Sequence, residues 1–334
     1  MALADIPGQE LAVKCLTRGL ARARITHAYL FTGPEGVGQA EAALALAQAL
    51  NCPASPREPC GTCNTCRRIA ANNYPDVLEV VPEGNNIKID QIRSLRKDIY
   101  FRPYEGKYKV YIISAAQQMT VQAANSLLCI LEEPPSYAVL VLLTSQEDRL
   151  LPTIVSRCQK VPFYPLSPAL MEDKLVGEMG LERERAGVVA ALAAGSYVRA
   201  RELVESGRAR ESHRRVMALA ATICGGNEGE RWLLGEEWGK AEELPLFLQQ
   251  LLFWFRDLLI LKETGAEELL LHRGEMPRLR QMAQCYSRRG LVASLEALRE
   301  IMTLLTSNVN IGLALNVLMG QLEPDLSLTD GGGD

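Results

Sequence analysis

The chain has 334 residues, 48% of them hydrophobic and 23% charged, enough apolar content for full globular cores and enough length for two or three domains of roughly 150 residues each. Its 36 Lys and Arg against 40 Asp and Glu give a net charge of −4, which excludes a protein that grips nucleic acid by bulk charge alone. The N-terminus has no basic patch followed by an apolar run, and no uninterrupted apolar stretch approaches 18 residues, so the expectation is a cytoplasmic chain with no membrane span.

From His27 to about Pro165, short β-type runs alternate with helical ones. His27–Thr32 (HAYLFT) ends in Gly33, and Gln39–Leu50 is rich in the helix formers Ala and Leu. Asp76–Val81, Lys109–Ser114, Ala138–Thr144 and Lys160–Phe163 read as further strands. Helices are predicted over Ile89–Ile99 and in a stretch that stops at Glu133 before Pro134-Pro135. Near-continuous apolar strands between helices predict an α/β fold with a parallel sheet covered on both faces. Beyond Pro165 the strand signal ends. Helical periodicity over about 167–205, 211–224, 242–263, 277–287 and 290–321 predicts a small helical domain at 166–207 and a larger one at 208–322, with a disordered tail at 323–334.

Directly after HAYLFT, Gly33-Pro34-Glu35-Gly36-Val37-Gly38-Gln39-Ala40 has the glycine spacing of a phosphate-binding loop, G-x-x-x-x-G-K-[ST], in the required place between strand and helix. The two residues that do the chemical work are absent. Lys would reach the β and γ phosphates and Ser/Thr would hold Mg²⁺, whereas Gln39 is neutral and Ala40 has no oxygen. The strand KVYII runs into Ser114-Ala115, with no carboxylate at either position to hold the metal or polarise water. Phosphoryl transfer depends on positioning and charge stabilisation, so four such losses predict a vestigial loop (Gly33, Gly36, Gly38, Gln39) that does not hydrolyse ATP. The plainer alternative is a glycine-rich turn and nothing more.

Of nine cysteines, Cys52, Cys60, Cys63 and Cys66 fall within fifteen residues as C-x7-C-x2-C-x2-C. Four thiolates with two overlapping C-x-x-C steps suit a closed tetrahedral zinc site that pins a loop, a structural role; an iron–sulfur cluster or a redox dithiol are the alternatives. Cys15, Cys129, Cys224 and Cys285 read as buried small apolar residues.

Taken together, Gly8-Gln9-Glu10, HAYLFTGPEGVG, the four-cysteine insertion, Leu131-Glu132-Glu133-Pro134-Pro135, Thr144, and Ser156-Arg157-Cys158 make the chain resemble the AAA+ subunits of the bacterial DNA polymerase III clamp loader. Phe255-Arg256-Asp257-Leu258-Leu259 and Asn308–Leu315 are similar to the family's collar helices. The resemblance implies a RecA-like P-loop domain at 1–165 with the zinc insertion at 52–66, a helical lid at 166–207 and an all-α collar at 208–322. It implies that Arg157, within Ser-Arg-Cys, reaches into the neighbouring subunit's ATP as a trans-acting finger. It also implies assembly with gamma/tau-like motor and delta-like clamp-opening subunits in a heteropentamer that loads a sliding clamp onto primer-template DNA. Thr144 matches a first sensor position. The second-sensor Arg would fall on Val198, with Arg199 one residue late. Two other functions follow from different weightings: an ATP-hydrolysing motor subunit with an atypical site, and a free-standing zinc-binding nucleic-acid module.

Overall fold

The computed structural model describes residues 3–22, 24–55, 58–225, 243–305 and 311–325. It divides into two compact units, Met1–Leu170 with Gly195–Val198, and Met171–Ala194 with Arg199–Asp334.

The first unit is built on five strands, β1 Ala28–Thr32, β2 Val77–Val80, β3 Lys109–Ile113, β4 Ala138–Thr144 and β5 Gln159–Pro162, in the order β2-β3-β4-β1-β5 with every pairing parallel. The three inner strands are buried along their whole length, which is why they read as unbroken apolar runs. Side chains alternate between the two faces. Tyr29, Phe31, Val110, Ile112, Val139 and Val141 pack on one side with helices α1 (Glu10–Ala21) and α2 (Gln39–Asn51). Leu30, Tyr111, Ile113, Leu140 and Leu142 pack on the other with α4 (Ile89–Ile99) and α5 (Val121–Glu132). Between these lie α3 (Asn64–Ala70), in the cysteine insertion, and α6 (Pro152–Val155), a single turn before β5. Thr120 caps α5 by accepting the Ala123 N–H at 3.2 Å. Pro134-Pro135 stop the same helix.

The second unit is helical: α7 (Pro168–Met179), α8 (Arg183–Ala193), α9 (Tyr197–Glu205), α10 (Arg208–Gly225), α11 (Leu244–Thr264), α12 (Met276–Gln284), α13 (Arg288–Leu304) and α14 (Ile311–Gln321). Its core forms around α11, whose Trp254, Phe255 and Leu258 are fully buried. At 21 residues α11 is long and apolar enough to cross a membrane, yet it is the central core helix of this unit, and its buried Asp257 accepts the backbone N–H groups of Leu271 and His272 at 3.0 and 2.9 Å. Three stretches of the collar and tail readings, residues 226–242, 306–310 and 326–334, lie outside the described residues, as does the side chain of Cys224.

The cysteine expectation needs correction. Cys285 is buried, but Cys129 is exposed and Cys15 only half-buried. Helix α5 turns Ala123, Leu127, Ile130 and Leu131 into the core, and Cys129, two residues after Leu127, is carried round to the opposite face.

Candidate functional site

The glycine loop leaves β1 where Gly33 has φ 148°, and a Cβ there would lie 2.3 Å from the Phe163 carbonyl oxygen, so only glycine fits. The Gly33 N–H donates to the Thr144 carbonyl at 3.1 Å, tying the loop to the end of β4. Gln9, almost fully buried, clamps the loop from the other side: Nε2 donates to the carbonyls of Val37 at 3.0 Å and Tyr164 at 2.7 Å, and Oε1 accepts the Tyr164 N–H at 3.0 Å. This gives Gln9, far from the loop in sequence, a place in holding it.

Gln39 opens α2 at the position a phosphate-binding Lys would hold. Its side chain is buried, and its Nε2 faces the carbonyls of Gly33 at 3.0 Å, Thr144 at 3.4 Å and Phe31 at 3.5 Å. The carboxamide therefore ties the loop to the strand ends. Above the loop, Gly36 (φ 74°) meets the segment Gly195–Val198: a Cβ on Gly36 would lie 2.3 Å from Ser196 Oγ and 3.0 Å from Val198 Cβ, and the Val198 N–H points to the Gly36 carbonyl at 3.5 Å. Position 198 thus sits on the loop and presents an isopropyl group, while Arg199 Nη2 bonds Gln249 Oε1 at 3.2 Å. The sequence resemblance puts the second-sensor position at Val198, with Arg199 one residue late, and Val198 is the residue that stands against Gly36.

At the end of β4, the Thr144 hydroxyl donates to Gln117 Oε1 at 2.9 Å, Gln117 Nε2 donates to Ser145 Oγ at 3.1 Å, and Ser145 Oγ donates to Glu35 Oε1 at 3.3 Å. This chain ends on a carboxylate in the glycine loop itself, the wrong sign of charge for a phosphate neighbour. After β3, Ser114 Oγ donates to Glu79 Oε1 at 2.7 Å, and Ala115 takes a left-handed φ of 51°. The acid that sequence reading missed stands on β2, bound to Ser114.

The four insertion cysteines converge. Their Sγ atoms all lie within 4.8 Å of one another, and Cys60 and Cys66 are 3.9 Å apart. Two ligands at ~2.3 Å from a tetrahedral zinc are about 3.8 Å apart, whereas a disulfide needs about 2.05 Å. Two turns aim N–H groups at sulfur, Cys63 N to Cys60 Sγ and Cys66 N to Cys63 Sγ, both at 3.3 Å. The N–H groups of Cys63 and Thr62 lower the Cys60 thiol to about 6, and burial pushes Cys66 up to about 12. The residues fit a metal with thiolate preference. Gln48 Nε2 donates to the Cys66 carbonyl at 2.8 Å and fastens the knuckle to α2.

Arg157 follows α6 and precedes β5 on the surface. Its Nη1 donates to the Thr153 carbonyl at 3.0 Å and its Nη2 to Glu132 Oε1 at 2.9 Å. The adjacent Cys158 thiol is pushed up to about 12 by burial, so it packs as a neutral thiol.

A five-stranded parallel sheet of this order, with a glycine loop leaving β1 for α2, defines a P-loop fold of the AAA+ type. The family model described as DNA polymerase III, delta subunit, matches residues 8–167. Bacillus subtilis DNA polymerase III subunit delta′ is 35% identical over 312 residues, covering 91% of this chain and 92% of that protein. Bacillus subtilis subunit tau is 38% identical over 176 residues, 52% of this chain but only 30% of tau. A Thermotoga maritima DNA polymerase III gamma subunit-related protein superposes with a TM-score of 0.46 at 22% identity, covering 94% of this chain and 99% of that one. The chain belongs to the delta′ family of DNA polymerase III clamp-loader subunits.

Proposed function

We propose that this chain is a non-hydrolysing member of the clamp loader, which supplies Arg157 in trans to a neighbouring subunit's ATP and serves as scaffold for ATP-dependent loading of a sliding clamp onto primer-template DNA. The observation that carries this reading is the use of Gln39. Its only side-chain donor group faces loop and strand carbonyls, Val198 stands on Gly36, and Glu35 closes the polar chain from Thr144, so the loop offers a phosphate no side-chain cation. A permanently charged guanidinium, by contrast, can donate two parallel hydrogen bonds to phosphoryl oxygens and stabilise their charge as water attacks. The partners on this reading are gamma/tau-like motor and delta-like clamp-opening subunits in a cytoplasmic heteropentamer, with 166–207 as lid and 208–322 as collar.

The cysteine knuckle would hold one structural zinc through Cys52, Cys60, Cys63 and Cys66, with no open position for chemistry. Reconstitution tests the main reading. Arg157→Ala is expected to leave the chain folded and to cut DNA-stimulated ATP hydrolysis by the assembly by roughly tenfold or more. Tight Mg-ATP binding with turnover by the isolated chain would favour a motor subunit instead, and salt-sensitive DNA binding by the chain alone would favour a free-standing nucleic-acid module.

A further inference from the structure

Arg157 is held by two bonds from its own unit, and one of them comes from a side chain 25 residues upstream: Glu132 Oε1 accepts from Nη2 at 2.9 Å. Glu132 is the last residue of α5, where a carboxylate faces the negative end of the helix dipole. Local helix energetics give no reason for an acid there; the guanidinium does. The second bond, Nη1 to the Thr153 carbonyl, uses a helix-end backbone group of the single turn α6 that also accepts the Ser156 hydroxyl at 3.1 Å. A guanidinium has five N–H groups. With one taken by Glu132 and one by Thr153, three carry no partner among the described residues, and the side chain keeps 37% of its surface exposed.

We infer that Glu132 is the positioning residue of the finger: it fixes the guanidinium plane before a neighbour arrives, so that the three remaining N–H groups meet phosphoryl oxygens without a search through rotamers. This rests on the finger role proposed above for Arg157. A finger acts by preorganised charge, and a long side chain left free to rotate would spend part of its interaction on being ordered. The Pro134-Pro135 stop ends α5 just beyond Glu132, fixing the helix end from which its carboxylate reaches Arg157. The ion pair is half exposed on both sides, so its removal leaves the fold intact.

The test uses the reconstituted loader containing this chain as wild type, Arg157→Ala, Glu132→Ala or Glu132→Gln, with DNA-stimulated ATP hydrolysis followed as kcat and KM and thermal melts run on each chain. Glu132→Gln removes the charge and turns one carboxylate oxygen into an amide NH2, but keeps one oxygen able to accept from Nη2. We expect Glu132→Ala to lower kcat roughly threefold to tenfold with KM for ATP little changed, and Glu132→Gln to restore most of that loss. If Arg157→Ala is impaired while Glu132→Ala matches wild type or turns over faster, the positioning role is overturned and the finger stands. A Glu132→Gln variant as slow as Glu132→Ala also overturns it, because the acceptor then does not hold the finger. Unchanged hydrolysis in Arg157→Ala removes the finger itself, and the positioning role with it.

Discussion

At position 39 the chain carries a carboxamide where a working phosphate loop carries an ammonium, and three carbonyls around it absorb the difference. That Gln39 is not a Lys can be read from sequence; where its amide goes cannot, because Phe31, Gly33 and Thr144 are brought together only by the pairing of β1 with β4. The same holds for Val198, whose place on Gly36 depends on the return of Gly195–Val198 to the first unit. For the isolated chain the expected outcome is the absence of saturable Mg-ATP binding below about 1 mM in an equilibrium titration, weaker than about −4 kcal/mol. A micromolar dissociation constant would contradict the account of the loop.

Among the elements, the convergence of the four insertion cysteines was the most legible, because the spacing of C-x-x-C steps is a local property. The N–H groups aimed at sulfur follow from the same turns that set the spacing. Replacing Cys60 and Cys63 by Ser is expected to release about one zinc per chain and lower the melting temperature, since binding energy at such a site is also folding energy; elemental analysis of the native protein without zinc would refute it. Strand β3 presents a different case. Lys109, almost fully buried, donates to Asp98 Oδ2 at 2.9 Å, and Tyr111 donates to the same oxygen at 2.6 Å. Burial alone would raise the Asp98 carboxyl, but these two donors outweigh it and hold the group below its ordinary value.

A depressed carboxyl stabilises the fold above its unfolded pKa of about 3.9 and loses that contribution as pH falls through the lower folded value. Asp98→Asn should therefore cost about 1–2 kcal/mol at neutral pH, discounted for partial exposure of the acid, with the gap from wild type closing below about pH 4. Urea melts at pH 7 and pH 3 measure it; an equal gap at both would show that the charge plays no part. The exposure of Cys129 is the element-scale reading that failed, and helical phase accounts for it: chemistry typed the residue as core, while the stripe of Leu127, Ile130 and Leu131 had already fixed which face was core.

On the scale of the whole molecule, the sheet order was legible only as a class. Unbroken runs such as AVLVLLT announced buried parallel strands, but the sequence of neighbours β2-β3-β4-β1-β5 depends on crossovers that periodicity does not encode. The helical unit was legible as helices, and its organisation around α11 follows from the concentration of large apolar side chains on one 21-residue segment. The pairing of Glu132 with Arg157 was invisible, since nothing local links the end of α5 to the turn before β5.

On the proposed function, labour is divided: this chain gives up its own phosphate chemistry and completes a neighbour's. The most direct measurement is DNA-stimulated ATP hydrolysis by a reconstituted loader in which only this chain carries Arg157→Ala. The expected result is a loss of roughly tenfold or more with assembly intact; hydrolysis at the wild-type rate would contradict the proposed role of Arg157.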